Sequence, residues 1–544
     1  MPHRRTALLA AAAFLLPFAV FLGDGRYLGS GDTAPAELLP IAVLDHHALN
    51  FDAFVRPNET LPYWFRVRNG HVVSDYPVLP GLLNVPVFAA AKAAGLPLFK
   101  NRFRLSLATS AALAAGSVAF LFLALRKTGR SDSAAFGFAL LYAFGTEVWS
   151  VAGKGLFQHG PSLFFLTLAL WMLPVETPRA AAIAALSLGL AIGIRPTNVL
   201  IAAPLAFWEL RSRPRGRAAF LILLALPVLL VGAHTATSWG VFTLARNLTP
   251  AGFSGRPLDG LAGLLLSPAR GLFVFSPFLL FAIPAGVAAW RRSGSRFDRW
   301  LTVAAVLMLA AFSRWRIWWG GHSFGYRLLI EIVPLLVLLI AGFWPEIAAR
   351  RWAAGLFAVL AAASIFVQFL GARFYPSGFN EDIDREPERL WQIRDSEIAR
   401  LTARFRGHSG PAPPPAPQAG ADDRAIPGAL DWPRPDASVR GTLRVAGWAR
   451  SPAGPVDVRI LISPGGRAAP AARIPRPDVC AVLPALGDCS QAGFESVLGP
   501  PAEPGERLLV VELRGPDGHT RRIGPVRFFW WPAAAAPGAD RIRP

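Results

Sequence analysis

The acidic residue Asp32 lies in a polar stretch that follows the first apolar segment of the chain. Residues 6–23 are apolar, and the stretch after them opens with Ser30-Gly31-Asp32-Thr33 and later contains Asp45-His46-His47. A carboxylate just outside a long apolar run is hard to explain by packing, whereas a positioned carboxylate can take a proton from a hydroxyl. We therefore predict Asp32 as a general base, with Asp45 as the second choice. Asp32 also suits the N-cap of a helix that starts near Ala34, and the two roles can coexist.

Two arginines are candidate anion-binding residues. Arg195 lies in the short turn Gly193-Ile194-Arg195-Pro196 between two apolar runs, and Arg327 follows Gly325-Tyr326 where another apolar run begins. The guanidinium fork matches the oxygens of a phosphate, so both arginines are predicted to bind one. A structural alternative for Arg327 is an ion pair with Glu331, one helical turn later.

Other polar residues lie at the ends of the same apolar runs. Lys154 and His159 are predicted to assist at the phosphate, although interfacial snorkelling also explains Lys154. Glu147 is a weaker acidic candidate. Glu147, Trp319 and His322 are assigned to an acceptor or a sugar ring; Trp319 could instead belong to an interfacial aromatic belt.

The composition is that of a membrane protein. The chain has 544 residues, 53% of them hydrophobic and only 17% charged, and its mean hydropathy is +0.39. A helix needs about 20 apolar residues to cross the hydrocarbon core, and on this basis we predict about eleven spans, the first of them an uncleaved signal-like helix. The predicted spans are 6–23, 105–125, 133–149, 160–174, 180–194, 198–210, 218–238, 271–290, 300–313, 328–344 and 352–370.

The basic residues set the predicted orientation. Under this assignment the basic clusters all fall on one side, which is the cytoplasm by the positive-inside rule. These clusters are Arg4-Arg5, Arg126 to Arg130, Arg179, Arg211 to Arg217, Arg291 to Arg299 and Arg350-Arg351. The formal charge of +20 therefore reflects topology, and we predict no nucleic-acid partner. Residues 76–95 contain three prolines and are predicted to lie in the outer interface, with a further span as the alternative.

The composition changes after residue 371. We predict an amphipathic helix around Glu386 to Arg406 and a proline-rich linker at 409–419, both within a segment from 371 to 429. Residues 430–531 show short alternating strands, among them 441–448, 456–462 and 507–513, and are predicted to form a small extracytoplasmic β-sandwich. Residues 532–544 are predicted to be a disordered tail. Cys480 and Cys489 are predicted to form a disulfide, which requires an oxidising compartment.

Residues 1–370 resemble the GT-C membrane glycosyltransferases. The similarity rests on Gly31-Asp32-Thr33 after the first span, on Arg195-Pro196, and on Gly325-Tyr326-Arg327-Leu328. Within that superfamily the chain is most similar to the protein mannosyltransferases and aminoarabinose transferases. The resemblance implies a sugar donor carried on polyprenyl phosphate, a base at Asp32, and donor phosphate held by Arg195 and Arg327. Thr33 stands where protein mannosyltransferases have a second acid, which argues against a protein acceptor. The tail resembles small β domains appended to bacterial surface glycosyltransferases.

The sequence thus predicts a polytopic α-helical membrane protein of the bacterial inner membrane, with its N-terminus in the cytoplasm. Its expected activity is inverting sugar transfer to a hydroxyl of a cell-envelope glycan, lipid or protein, with membrane lipids as surroundings. No cofactor is expected. A divalent metal at Asp45, His46 and His47 is a less favoured alternative, since adjacent histidines on a helix point in different directions. The rival functions are a transporter or flippase of lipid-linked sugars and a scaffold for a carbohydrate-binding β domain.

Overall fold

The chain folds into two compact units. One comprises Met1–Phe51 with Val67–Pro413, and the other Asp52–Arg66 with Pro414–Pro544; we call them the helical unit and the β unit. The structure is a computed structural model. It describes residues 2–55, 61–244, 250–291, 296–376, 379–380, 383–384, 386–406, 426, 428–433, 437–451, 454–463, 467–476, 490–502 and 505–531.

The α-helices of the described chain follow one another with short connections. They are α1 Pro2–Gly23, α2 Ala34–His46, α3 Leu79–Ala93, α4 Leu98–Lys127, α5 Asp132–Phe144, α6 His159–Met172, α7 Pro178–Ile194, α8 Val199–Ser212, α9 Arg217–Trp239, α10 Pro257–Leu266, α11 Leu272–Phe275, α12 Ala282–Arg291, α13 Arg296–Ser313, α14 Val333–Ala348, α15 Arg351–Phe374 and α16 Glu397–Phe405. Single turns of tighter or wider helix lie at Asp52–Phe54, Val148–Ala152, Pro196–Asn198, Pro250–Phe253, Pro277–Phe281, Arg327–Ile332 and Pro387–Trp391. Two short strands, β1 Phe65–Arg68 and β2 His71–Ser74, precede α3.

The protein is a multi-pass membrane protein. Five helices are long and apolar enough to cross a bilayer: Arg4–Gly23, Leu98–Lys127, Arg217–Trp239, Arg327–Ala348 and Arg351–Phe374. The other predicted spans coincide with helices that are shorter, interrupted or more charged, so the number eleven stays a prediction. The predicted span 271–290, for example, is divided into α11, a tight turn and α12, because Pro277 cannot donate a backbone hydrogen bond.

Small residues let the helices of this unit approach closely. The backbone of α7 at Gly189 packs so near the Leu224 carbonyl of α9 that no Cβ would fit, and Gly116 of α4 lies against the Phe164 ring of α6. Close packing through small residues is the usual way in which membrane helices associate. The helix α3 has 15 residues and contains Pro86. Such a helix is shorter than the ~20 residues that a span requires, but so are α5 and α6, which coincide with predicted spans. The interfacial position of 76–95 therefore stays a prediction.

Alternating helix direction gathers two different sets of residues at the two ends of the helical unit. We call one end the site end. It contains the ends of α1 and α7 and the starts of α6 and of the Arg327–Ala348 helix, and there Lys154 contacts Phe21 and Arg327 contacts Asp32. At the opposite, basic end, Arg126 and Arg5 both pair with Asp132. These contacts bring two of the predicted basic clusters together, those of Arg5 and Arg126. The grouping of the other basic loops and the side of the membrane that each end faces stay predictions.

The segment that follows α15 differs from the prediction. Instead of one amphipathic helix from Glu386 to Arg406, it forms the turn Pro387–Trp391 and then α16. The Ser396 hydroxyl accepts a hydrogen bond from the Ala399 amide and so starts α16 afresh. A local capping residue in mid-segment therefore divides the predicted helix.

The β unit contains two sheets. Their strands are β3 Gly428–Trp432, β4 Ala437–Arg440, β5 Leu443–Ala449, β6 Asp457–Ser463, β7 Arg467–Pro470, β8 Ala472–Ile474, β9 Gly493–Leu498, β10 Gly505–Arg514 and β11 Thr520–Trp531. One sheet has the order β4-β11-β10-β6-β7 and the other β3-β5-β9-β8.

Inward-facing residues of both sheets form one apolar core, among them Val445, Ile460, Phe494 and Trp530. The predicted strands around 441–448, 456–462 and 507–513 coincide with β5, β6 and β10. The linker 409–419, the tail 532–544, Cys480 and Cys489 lie outside the described residues, so the disulfide stays a prediction.

Candidate functional site

Asp32 lies between α1 and α2 with both carboxylate oxygens engaged. Its Oδ2 accepts a hydrogen bond from Arg327 Nη1 at 2.9 Å, and its Oδ1 accepts one from the Tyr76 hydroxyl at 2.5 Å. The Asp32 and Arg327 side chains are 23% and 16% exposed. The N-cap position of α2 belongs to Thr33, so Asp32 is not the helix cap that was its structural alternative. A carboxylate and a guanidinium therefore meet in a partly open position at the site end.

Arg327 is held by further contacts on its other side. Its Nη2 donates to the Gly320 carbonyl at 2.7 Å, and its guanidinium lies 5.8 Å from the centre of the Phe157 ring. The loop before it turns through Gly320 and Gly325, both at positive φ, a conformation that glycine adopts without a steric penalty. These two glycines thus allow the loop to fold back, so that the Gly320 carbonyl reaches the Arg327 side chain.

Arg195 and His159 share one buried partner, Glu331. His159 Nδ1 lies 2.8 Å from Glu331 Oε1, and Arg195 Nη1 pairs with Glu331 Oε2. The Glu331 side chain has no exposed surface. A buried charge is tolerated only when it is paired, and this group satisfies that condition. The predicted alternative pairing of Arg327 with Glu331 is wrong, because Arg327–Ile332 forms a tighter 3₁₀ turn in which residues four apart do not align.

The two ion pairs are neighbours. The Phe157 ring, which lies beneath the Arg327 guanidinium, has its centre 6.4 Å from that of the His159 ring. The structure thus brings together four of the predicted residues: Asp32, Arg327, His159 and Arg195.

Lys154 belongs to a different cluster. Its Nζ donates to Asp24 Oδ1 at 2.6 Å and to the Phe21 carbonyl at 2.8 Å, and the side chain has no exposed surface. Burial lowers the pKa of its ammonium group, and the neighbouring Asp24 carboxylate, which raises that pKa, offsets only part of the effect. A cation bonded to the last carbonyls of α1 stabilises the end of that helix. Complete burial rules out the snorkelling alternative, and these contacts give the predicted phosphate role of Lys154 no support.

Glu147 is buried beneath the glycine loop. Its Oε1 accepts a hydrogen bond from the Tyr326 amide, while among the described residues its Oε2 has no hydrogen-bond partner. A side chain with no exposed surface offers no contact to an acceptor. Its carboxylate faces the backbone of the loop, so these contacts give the predicted acceptor role of Glu147 no support, and that role stays a prediction.

Replacing Gly325 by Ala is expected to disrupt the site. Gly325 has φ +59°, and a Cβ there would collide with the Glu147 carboxylate. We expect a loss of about 1–3 kcal/mol of stability and a loss of activity, since Arg327 follows two residues later. Thermal unfolding and transfer activity measure the two effects. Gly355→Ala in α15 is the control, because a Cβ there meets open space; equal behaviour of the two variants would contradict the role of the loop.

Trp319 and His322 are joined by Asp384, which the sequence did not single out. The indole Nε1 donates to Asp384 Oδ1 at 3.1 Å, and His322 Nε2 lies 2.9 Å from Asp384 Oδ2. The His322 and Asp384 side chains are both more than half exposed. The Trp319 ring is half-buried, and an accessible ring edge with polar groups beside it is suited to a sugar. The predicted role of Trp319 and His322 stays a prediction, with Asp384 as a third member.

A second missed cluster centres on Arg270. Arg270 Nη1 donates to Glu397 Oε2 at 3.0 Å, Nε to the Trp319 carbonyl at 3.1 Å, and Nη2 to Asn380 Oδ1. The side chains of Arg270 and Glu397 are both buried. Burial raises the pKa of the Glu397 carboxyl to about 7, although Arg270 and the Gly325 amide oppose the rise. This cluster ties α16 to the loop that carries Trp319.

The raised pKa predicts a pH-dependent stability. Between the ordinary value of 4.5 and about 7, the unfolded chain releases the Glu397 proton while the folded protein keeps it. The contribution of Glu397 to the free energy of unfolding is therefore complete below pH 4.5 and is lost as the pH rises to about 7. We expect Glu397→Gln to remove this fall from a plot of unfolding free energy against pH. Parallel plots for the variant and the wild type would contradict the prediction.

Asp45 lies apart from these clusters. It pairs with Lys92 Nζ at 2.8 Å, and Lys92 also donates to the Leu44 carbonyl. His46 ends α2 and His47 follows it at φ 52°. In the part of the chain that the structure describes, no three His, Cys, Asp or Glu side chains gather into a metal-binding group. Asp45 thus has a structural partner of its own and does not join Asp32.

The chain was also compared with known proteins. No family model matches it, and no curated protein sequence does. Among solved structures, the chain is similar to the crystal structure of ArnT from Cupriavidus metallidurans in the apo state. The two share 15% sequence identity over 75% of this chain and 76% of that one, with a TM-score of 0.42.

Proposed function

We propose that this protein is an inverting glycosyltransferase that moves a sugar from a polyprenyl-phosphate donor to an acceptor hydroxyl at the outer face of the bacterial cytoplasmic membrane. The observation that supports this most is the 2.9 Å contact between the Asp32 carboxylate and the Arg327 guanidinium. It joins a candidate base to a candidate phosphate ligand at one end of a bundle of membrane helices. A lipid-linked donor would place its phosphate at such an end and its prenyl chain among the helices.

The reaction is a single displacement at the anomeric carbon. The acceptor oxygen forms the new bond to that carbon as the bond to the phosphate oxygen breaks, and the bond electrons leave with polyprenyl phosphate. Asp32 takes the proton of the acceptor hydroxyl, and Arg327 stabilises the charge that develops on the departing phosphate. Attack from the side opposite the leaving group inverts the anomeric configuration.

The contacts of Asp32 suggest how the donor prepares the base. In the described conformation Arg327 occupies Oδ2 and Tyr76 occupies Oδ1. A donor phosphate competes with Asp32 for the guanidinium, since both are anions that suit its fork. Once Arg327 has turned to the phosphate, Oδ2 no longer accepts the Arg327 hydrogen bond and can take the acceptor proton, while the Tyr76 hydroxyl still orients the carboxylate.

The Arg195 group has a supporting part in this scheme. Both arginines are paired with a carboxylate, but Glu331 beside Arg195 has no exposed surface, whereas Asp32 beside Arg327 is partly exposed. A donor phosphate therefore reaches Arg327 more readily than Arg195. His159 and Arg195 instead form a rigid, buried wall beside the Phe157 ring. The half-buried Trp319 and the exposed His322 and Asp384 are assigned to the acceptor or to the transferred sugar.

The proposal is tested by incubating membranes that contain the wild-type protein with a panel of radiolabelled polyprenyl-phosphate sugars. Transfer of label from one donor, absent from membranes without the protein, would establish the class of enzyme. Failure of every donor with folded protein would contradict the proposal. Movement of the intact labelled donor across the bilayer of sealed vesicles, without its cleavage, would instead favour the transporter or flippase.

A further inference from the structure

A large cavity lies at the basic end of the helical unit, away from Asp32. Its volume is about 1300 Å³, and it is an open cleft lined by the ends of α4 and α8 and the starts of α7, α9 and α13. Its apolar wall consists of Ala181, Trp208, Phe220, Leu223 and Phe297. The volume exceeds the ~300–1,000 Å³ that is usual for small-molecule sites, and the apolar wall suits hydrocarbon chains.

Basic residues line the same cavity. Lys127, Arg213, Arg215 and Arg217 are among its lining residues. Arg213 is paired with Glu209 at 2.8 Å, and Arg217 Nε donates to the Leu210 carbonyl. Lys127 and Arg215 are exposed, and within the described ranges neither forms an ion pair.

The acidic residues of the cavity leave this positive charge largely uncompensated. Of its three carboxylates, Glu209 is engaged by Arg213, and Asp298 has interactions of its own. Glu176 is the remaining acidic residue of the lining. Its single negative charge is fewer than the two positive charges of Lys127 and Arg215. The cavity therefore offers an apolar wall together with a surplus of basic groups at its mouth.

We propose that this cavity binds an anionic phospholipid, with its phosphate headgroup at Lys127 and Arg215 and its acyl chains along the apolar wall. Basic pockets between membrane helices are known to recognise acidic headgroups. A free phosphate would use the two cations but leave the wall of Phe220 and Leu223 in water. The site is independent of the transfer reaction, because none of its residues takes part in the proposed mechanism.

The test is lipid-dependent thermal unfolding of the full-length protein in an uncharged detergent. Phosphatidylglycerol is expected to raise the melting temperature in a saturable way, whereas phosphatidylcholine and soluble glycerophosphate are not. The double variant Lys127→Gln with Arg215→Gln is expected to bind phosphatidylglycerol about thirtyfold more weakly, since each basic residue near an anionic lipid contributes about a factor of five to six.

Arg211→Gln is the matched control. Arg211 is exposed in the last turn of α8 but does not line the cavity, so this variant should respond to phosphatidylglycerol as the wild type does. Melting temperatures without lipid verify that each variant is folded. An equal response to phosphatidylcholine, an undiminished response of the double variant, or an equal loss in Arg211→Gln would overturn the proposal.

Discussion

Replacing Asp32 by Asn is expected to abolish sugar transfer while the protein remains folded and inserted in the membrane. Asn has the shape of Asp and keeps one oxygen to accept the Tyr76 or Arg327 hydrogen bond, but it cannot take the acceptor proton. A general base typically contributes about 10²–10⁴-fold, so we expect a loss of that size in the rate of transfer from a labelled donor. Binding of polyprenyl phosphate should persist, because Arg327 then lacks its carboxylate competitor.

Asp45→Asn is the control for this experiment. Asp45 pairs with Lys92 and makes no described contact with Arg327, so the variant should transfer sugar at the wild-type rate. An active Asp32→Asn protein would remove Asp32 from the role of base. Inactivity of Asp45→Asn alone would transfer that role to Asp45.

The second large effect is expected at Glu331, whose replacement by Leu should strongly destabilise the protein. The change leaves the Arg195 guanidinium buried without a counter-charge and removes the partner of His159. Breaking a buried pair in this way typically costs about 3–5 kcal/mol, which a thermal or denaturant unfolding curve would measure.

The double variant Glu331→Leu with Arg195→Met separates stability from activity. With both charges gone, most of the lost stability should return, since a buried pair replaced by apolar residues is often neutral. Transfer should remain impaired, because the buried wall beside the Phe157 ring has then lost Arg195. A single Glu331→Leu variant as stable as the wild type would contradict the structural role of the pair.

Much of the helical layout could be predicted from the sequence, because long apolar runs separated by basic loops are a strong signal. The partnership of Asp32 with Arg327 could not, since the two residues are 295 positions apart. Tyr76 was missed for a similar reason. The sequence around Tyr76 predicts an interfacial helix. The Tyr76 hydroxyl reaches Asp32 only because the chain folds back and packs α3 against α2.

Local rules also failed where tertiary contacts or backbone geometry took precedence. An ion pair of Glu331 with Arg327, four residues before it, was the structural alternative to phosphate binding, but the intervening turn is 3₁₀ and Arg195 pairs with Glu331 instead. Arg270 and Glu397 read as ordinary charges of exposed segments. They become buried only because α16 packs back on the bundle.

The most direct test of the central claim is the anomeric configuration of the sugar in the wild-type product. A donor of defined linkage is supplied to the purified protein in lipid nanodiscs, and the product is analysed by nuclear magnetic resonance together with the released polyprenyl phosphate. A single displacement assisted by Asp32 predicts a product of inverted configuration and one released polyprenyl phosphate for each sugar transferred. Retention of configuration, or failure to cleave any donor, would contradict it.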